Sequence, residues 1–217
     1  MKKELVIEET VKFVRSTLEG EGSGHDWWHI YRVWKNALLI SKNEDVDMLV
    51  VQLATLLHDI SDWKFNNGDA TIGPKVAKEW MDILNIDDNT ISHVCSIIKT
   101  MSFKGNGATS IMKTKEGKIV QDADRLDAIG AIGIARTFTY GGYIKQEIYN
   151  PNVVPKKHKS FEEYKQTKTT TINHFYEKLL LLKERMNLPI SKEIAKKRHV
   201  FMEDYLRKFH EECNGQS

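Results

Sequence analysis

Cysteine is almost absent. Cys95 and Cys213 stand far apart with no CxxC spacing. Neither a disulfide framework nor a thiolate zinc site is implied, and a reducing compartment, the cytoplasm, is expected. A surplus of one charge is also missing: 32 Lys and Arg face 30 Asp and Glu, interspersed along most of the chain. No basic stripe of the kind a phosphate backbone selects is present, so a nucleic-acid polymer has no support as a partner. Short basic clusters at Lys156, Lys157 and Lys159, and at Lys192, Lys196, Lys197 and Arg198, read as solvated helix faces. Long hydrophobic runs are lacking too. The opening MKKELVIEETVKFV interrupts its apolar residues with acids, which suits neither a signal peptide nor a membrane span, and nothing later reaches spanning length. A soluble protein without a membrane partner is expected.

What is present is helical periodicity over 217 residues, enough for a substantial core. Leu5, Phe13 and Leu18 belong to a first amphipathic helix that stops at GEGSG. Further helices are predicted near 26–42, 46–60, 72–84, 88–101, 119–137, 164–186 and 191–211, with Asp87 or Asp88 suited to cap the fifth. The Gly-rich stretch 102–118 is irregular. The segment after Tyr140 holds paired glycines and two of the four prolines, is long for a connection, and is a candidate lid. No strand series is found, so the fold class is all-α.

Three stretches carry chemistry. A His-Asp dipeptide alone means little in a chain with eight histidines, and two occur. His25-Asp26 follows glycines at a helix start, where Asp is commonly a cap; His58-Asp59 closes the apolar helix ATLLHDISDWKF, with Asp62 three residues on. A buried carboxylate needs a partner, and a metal, a cation or a helix end could serve. In HDWWHIYRVW, His25, His29 and Arg32 share one face while Val33, Ala37 and Ile40 face the core. That face could hold a metal and an anion; a structural histidine beside a surface arginine is the competing reading. In VQDADRLDAIGAIGIAR, Asp122, Asp124 and Asp127 sit among apolar residues, with Arg125, Arg136 or a metal to neutralise them, and Gly130 and Gly133 leave room for a neighbouring helix. Salt bridging within the fold is the alternative there.

The order His29, His58-Asp59, Asp124 resembles the HD-domain metal-dependent phosphohydrolase superfamily, and the fuller strings look like its small stand-alone bacterial branch, which includes nucleotide pyrophosphohydrolases. The resemblance implies one HD domain over 1–217, with a motif-bearing core at about 24–136 and a helical extension at about 160–212. It also implies that His29, His58, Asp59 and Asp124 are metal ligands. Two imidazoles and two carboxylates suit Mn²⁺, Fe²⁺, Co²⁺, Ni²⁺ or Zn²⁺, and Mg²⁺ less well. Such an ion acidifies a water towards a pKa of about 7 for attack on phosphorus. By the same resemblance Asp62 is the general base. Arg32, His25, Lys64 and Arg125 are candidates for phosphate oxygens. Trp27, Trp28 and Trp63 suit packing better than base stacking. Binuclear relatives insert two further histidines before the last Asp, and here only His93 intervenes, so one ion is expected. The expected activity is hydrolysis of a nucleotide, possible as triphosphate to monophosphate and pyrophosphate, or of another small phosphate ester. A catalytically silent nucleotide-binding module and a di-iron oxygenase on the same fold are the rivals. A homodimer is left open.

Overall fold

The computed structural model describes residues 2–20, 26–61, 71–102, 112–156 and 169–216. Among these, every regular element is helical, as the periodicity predicts. Two compact units divide the chain, Met1–Ala123 and Asp124–Ser217. No helix among the described residues is long and apolar enough to cross a membrane.

The first unit is built around α3, Met48–Leu57, which is buried on almost every side because MLVVQLATLL carries two polar positions: Thr55, buried with its hydroxyl donating to the Val51 carbonyl, and Gln52, which faces outward to accept from the Trp34 indole. A helix apolar all round must be surrounded. Its neighbours are α1, Lys3–Leu18, α2, Trp27–Ser41, and α5, Asp88–Ser102. Along α1, Val6, Ile7, Thr10, Val14 and Leu18 recur at the helical period and turn inward, whereas Leu5 stays exposed. Phe13 stacks flat on Trp80 of α4, Ile72–Ile83, with ring centroids 4.0 Å apart. Helices α4 and α5 form a hairpin through Asn85, whose φ of 54° lies in the left-handed region that asparagine tolerates. The expected cap of α5 is Asp87, which accepts the Thr90 backbone N–H at 3.0 Å. Helix α6, Lys115–Asp127, whose residues to Ala123 belong to this unit, starts where Thr114 accepts the Gly117 N–H, and its Ala123 carbonyl accepts from Asn36 of α2.

In the second unit α7, Gly130–Tyr143, packs on α9, Pro189–Cys213, and α8, Thr171–Glu177, leads into a 3₁₀ segment, Leu179–Arg185. Two predictions are corrected here. The single helix expected over 119–137 is two, beginning earlier at Lys115 and breaking at Ala128 and Ile129. Gly130 has a φ of 77°, which a continuing helix cannot accommodate, and a side chain at Gly133 would strike the Ala128 carbonyl rather than a neighbouring helix. The helix expected over 164–186 is instead α8 followed by the 3₁₀ turn. Leu179 and Leu182 are its buried residues, the three-residue spacing that a 3₁₀ turn aligns on one face.

The segment after Tyr143 is also less lid-like than expected over its described part. Asn173 donates to the Val153 carbonyl at 2.7 Å, Gln146 to the Thr169 carbonyl at 3.0 Å, and the Thr171 N–H to the Glu147 carbonyl at 2.9 Å. Residues 157–168 lie outside the described residues, as do 103–111 of the Gly-rich stretch.

Candidate metal centre

Asp26 caps α2 by accepting the His29 backbone N–H at 2.9 Å, which satisfies a first-turn donor and seats His29 with its ring buried. The first His-Asp pair thus provides a cap, as its place after the glycines suggested. On α3 the helical ladder stops at Leu57 and His58 takes the C-cap position. Its Nδ1 lies 2.7 Å from the Thr55 carbonyl. A carbonyl can only accept, so Nδ1 carries the proton and Nε2 presents its lone pair. One hydrogen bond therefore closes the helix end and orients the imidazole.

Three side chains then converge. The Nε2 atoms of His29 and His58 lie 3.5 and 3.9 Å from the same oxygen, Oδ2 of Asp59. The two rings meet edge to face with centroids 5.4 Å apart. One ligand atom from each of the three lies within 4.8 Å of the others, an arrangement that could hold a metal ion. These separations exceed a good hydrogen bond, and the donor set of two imidazoles and a carboxylate suits a divalent transition ion. The carbonyl behind His58 is the outer partner that metal-binding histidines commonly have. The residues present fit a metal.

Arg32 stands half-buried one turn beyond His29. Asp124 is half-buried on the last turn of α6, while Asp122 and Asp127 on the same helix are fully buried. Asp127 is paired with Arg136 at 2.9 Å, so salt bridging holds for that acid. Arg125 donates to the Arg185 carbonyl on the 3₁₀ segment. His25, Asp62, Lys64 and Trp63 lie outside the described residues. Trp27 is buried against Tyr31, as packing requires, and Trp28 is exposed. His93 engages the Thr114 hydroxyl at 3.0 Å and stands 3.9 Å from Glu116, a helix-face role.

Two contacts escaped the sequence reading. The Thr55 carbonyl is backbone, and its only sequence signal is its position three residues before a histidine at the end of an apolar helix. Arg198, grouped with surface lysines, departs from them. The lysines at 192, 196 and 197 are exposed, whereas Arg198 donates to the Leu126 carbonyl at 2.5 Å. Its signal was the spacing with Ala195 and Met202, both buried, three residues before and four after it.

The site and the helical fold define a hydrolase scaffold of known kind: residues 27–129 match the HD domain family. The chain belongs to that family. An HD-superfamily hydrolase from Bacillus thuringiensis is similar in structure, with a TM-score of 0.78 and 40% identity over 99% of this chain and 100% of that one. YpgQ of Bacillus subtilis is 35% identical over 98% of this chain and 97% of its own length. Its crystal structure in complex with ADP gives a TM-score of 0.75 and 33% identity, covering 97% of this chain and 100% of the other.

Proposed function

We propose that the protein is a divalent-metal-dependent phosphohydrolase of nucleotides that cleaves a nucleoside triphosphate to monophosphate and pyrophosphate. The observation that carries this reading is the meeting of His29, His58 and Asp59, with the His58 tautomer set by the Thr55 carbonyl. The ADP held by YpgQ supports a nucleotide as the ligand class. In this reading Asp124 is the fourth ligand, on the strength of the motif order and of a family match that runs through it. One Mn²⁺, Fe²⁺, Co²⁺, Ni²⁺ or Zn²⁺ ion, when bound, supplies Lewis acidity and lowers the pKa of water.

The chain's own groups do the rest. Arg32, one turn from His29, takes two phosphate oxygens in its fork. His25, Lys64 and Arg125 take others. Asp62 accepts the proton of the attacking water and aims it at the α-phosphorus. The bond from that phosphorus to the bridging oxygen breaks, and pyrophosphate leaves with the electron pair.

The test is release of phosphate and pyrophosphate, followed separately, from a panel of ribo- and deoxyribonucleoside triphosphates with Mn²⁺-loaded protein. Pyrophosphate from one class, lost in both His58→Ala and Asp59→Ala, is the expected result. Tight nucleotide binding without turnover would replace the enzyme by a binding module. Iron-dependent oxygen uptake with two irons per chain would replace it by an oxygenase.

A further inference from the structure

The C-terminal turn of α6 is fastened residue by residue. Arg125 reaches the 3₁₀ segment through the Arg185 carbonyl, Leu126 receives Arg198 of α9 on its carbonyl, and Asp127 pairs with Arg136 of α7. The tethers differ in kind. Arg136 and Asp127 join side chain to side chain, while Arg198 grips the peptide backbone, on a helix-end carbonyl whose other donor is the Ile129 N–H at 3.3 Å. Its Nη1 stands 2.5 Å from the Leu126 oxygen.

The path of that arginine is built into the fold. Gly130, with a φ of 77°, opens α7, and a Cβ there would lie 3.0 Å from both Cβ and Cγ of Arg198. The absent side chain is the space the arginine stem occupies. Burial pulls the guanidinium pKa down and the Asp127 carboxylate opposes that, as for a cation drawn into the fold beside an acid. Its position is therefore dictated by packing on both sides, unlike that of a surface arginine.

We infer that Arg198 is a positioning residue for Asp124: by holding the Leu126 carbonyl it fixes the turn from which the Asp124 carboxylate projects. Leu126 is two residues from Asp124, about 3 Å along the helix axis, so a shift of the gripped peptide is a shift of the carboxylate. Misplacement of a reacting or ligating group by about 1 Å can cost on the order of 100-fold in rate. This inference rests on the reading of Asp124 as a metal ligand.

The experiment measures the Mn²⁺ dissociation constant from the free-ion electron paramagnetic resonance signal, kcat and KM for the best triphosphate, and thermal stability. The proteins are wild type, Arg198→Met, Arg198→Lys and Asp124→Ala. Arg198→Met keeps the stem and loses the donors; it should weaken Mn²⁺ binding about 10- to 100-fold, the range for partners that orient a ligand, and lower kcat with KM unchanged. Arg198→Lys, which retains the charge, should recover part of both. If Arg198→Met and Arg198→Lys change thermal stability alone while Asp124→Ala loses Mn²⁺, the positioning role is overturned and the ligand reading stands. If Asp124→Ala binds Mn²⁺ and turns over like wild type, both are overturned.

Discussion

Two helix ends in this molecule carry acids, and they are furnished differently. At the end of α3, Asp59 faces two imidazoles whose Nε2 atoms approach one of its oxygens, and the nearest helix carbonyl holds one of those rings in place. At the end of α6, Asp127 faces the guanidinium of Arg136, and Arg198 caps the neighbouring carbonyl. Imidazoles can give a lone pair to a metal; a guanidinium cannot, because it has donors only. The first end can therefore gather an ion, whereas Asp127 at the second is held in an ion pair.

The largest expected effect tests the first end. His58→Ala or Asp59→Ala should reduce bound Mn²⁺ from about one equivalent to none and lower turnover by more than about 100-fold, beyond what disturbing an outer partner of a ligand does. Metal analysis of the purified variants checks it. The second end should respond in stability instead. Arg136→Met removes the guanidinium 2.9 Å from the buried Asp127 carboxylate and should cost about 2–3 kcal/mol in urea unfolding, below the full range for a broken buried bridge because Arg136 is partly exposed and the Arg198 charge remains beside Asp127. Metal stoichiometry in that variant should stay at the wild-type level.

A smaller loss is expected from Gly130→Ala. It forces an L residue to a φ of 77° and presses on the Arg198 stem, and about 1–2 kcal/mol by urea unfolding is the expected cost. An effect of similar size lies away from both ends. Burial of His174 on α8, with the Lys178 charge adding to it, pushes its pKa down to about 3. The unfolded chain binds that proton more readily, so this contribution is complete above pH 6.5 and is lost as pH falls towards about 3. By pH 5 the loss should be on the order of 1–2 kcal/mol, and His174→Gln should flatten the dependence of melting temperature on pH across that window.

The α3 end was legible in the sequence because its signal is local. An acid after an apolar helix demands a partner; His29, which the sequence reading set on a face apart from Val33, Ala37 and Ile40, is buried with them, because it lies four residues before Val33. The caps at Asp26 and Asp87 were legible for the same reason. The α6 end was read only in part. Three acids in an apolar helix signalled that cations were needed, and Arg136 is one of them, but the break at Ile129 is set by the Ala128 carbonyl and by the stem of Arg198, a residue 72 positions away from Leu126. Periodicity cannot report such a contact, and a cluster of basic residues hides the one that turns inward. The 3₁₀ turn was missed because four consecutive leucines show no period of their own.

The grip of Arg198 on Leu126 also sets an order of events at the ribosome. The two residues are 72 apart, so at a synthesis rate of about 5–20 residues per second the turn carrying Asp124 waits roughly 4–14 s for its clamp. During that interval the helices of the first unit have already emerged, with His29, His58 and Asp59 among them. A nascent chain, or one broken off before α9, then carries three of the proposed ligands and a fourth whose turn still lacks its arginine.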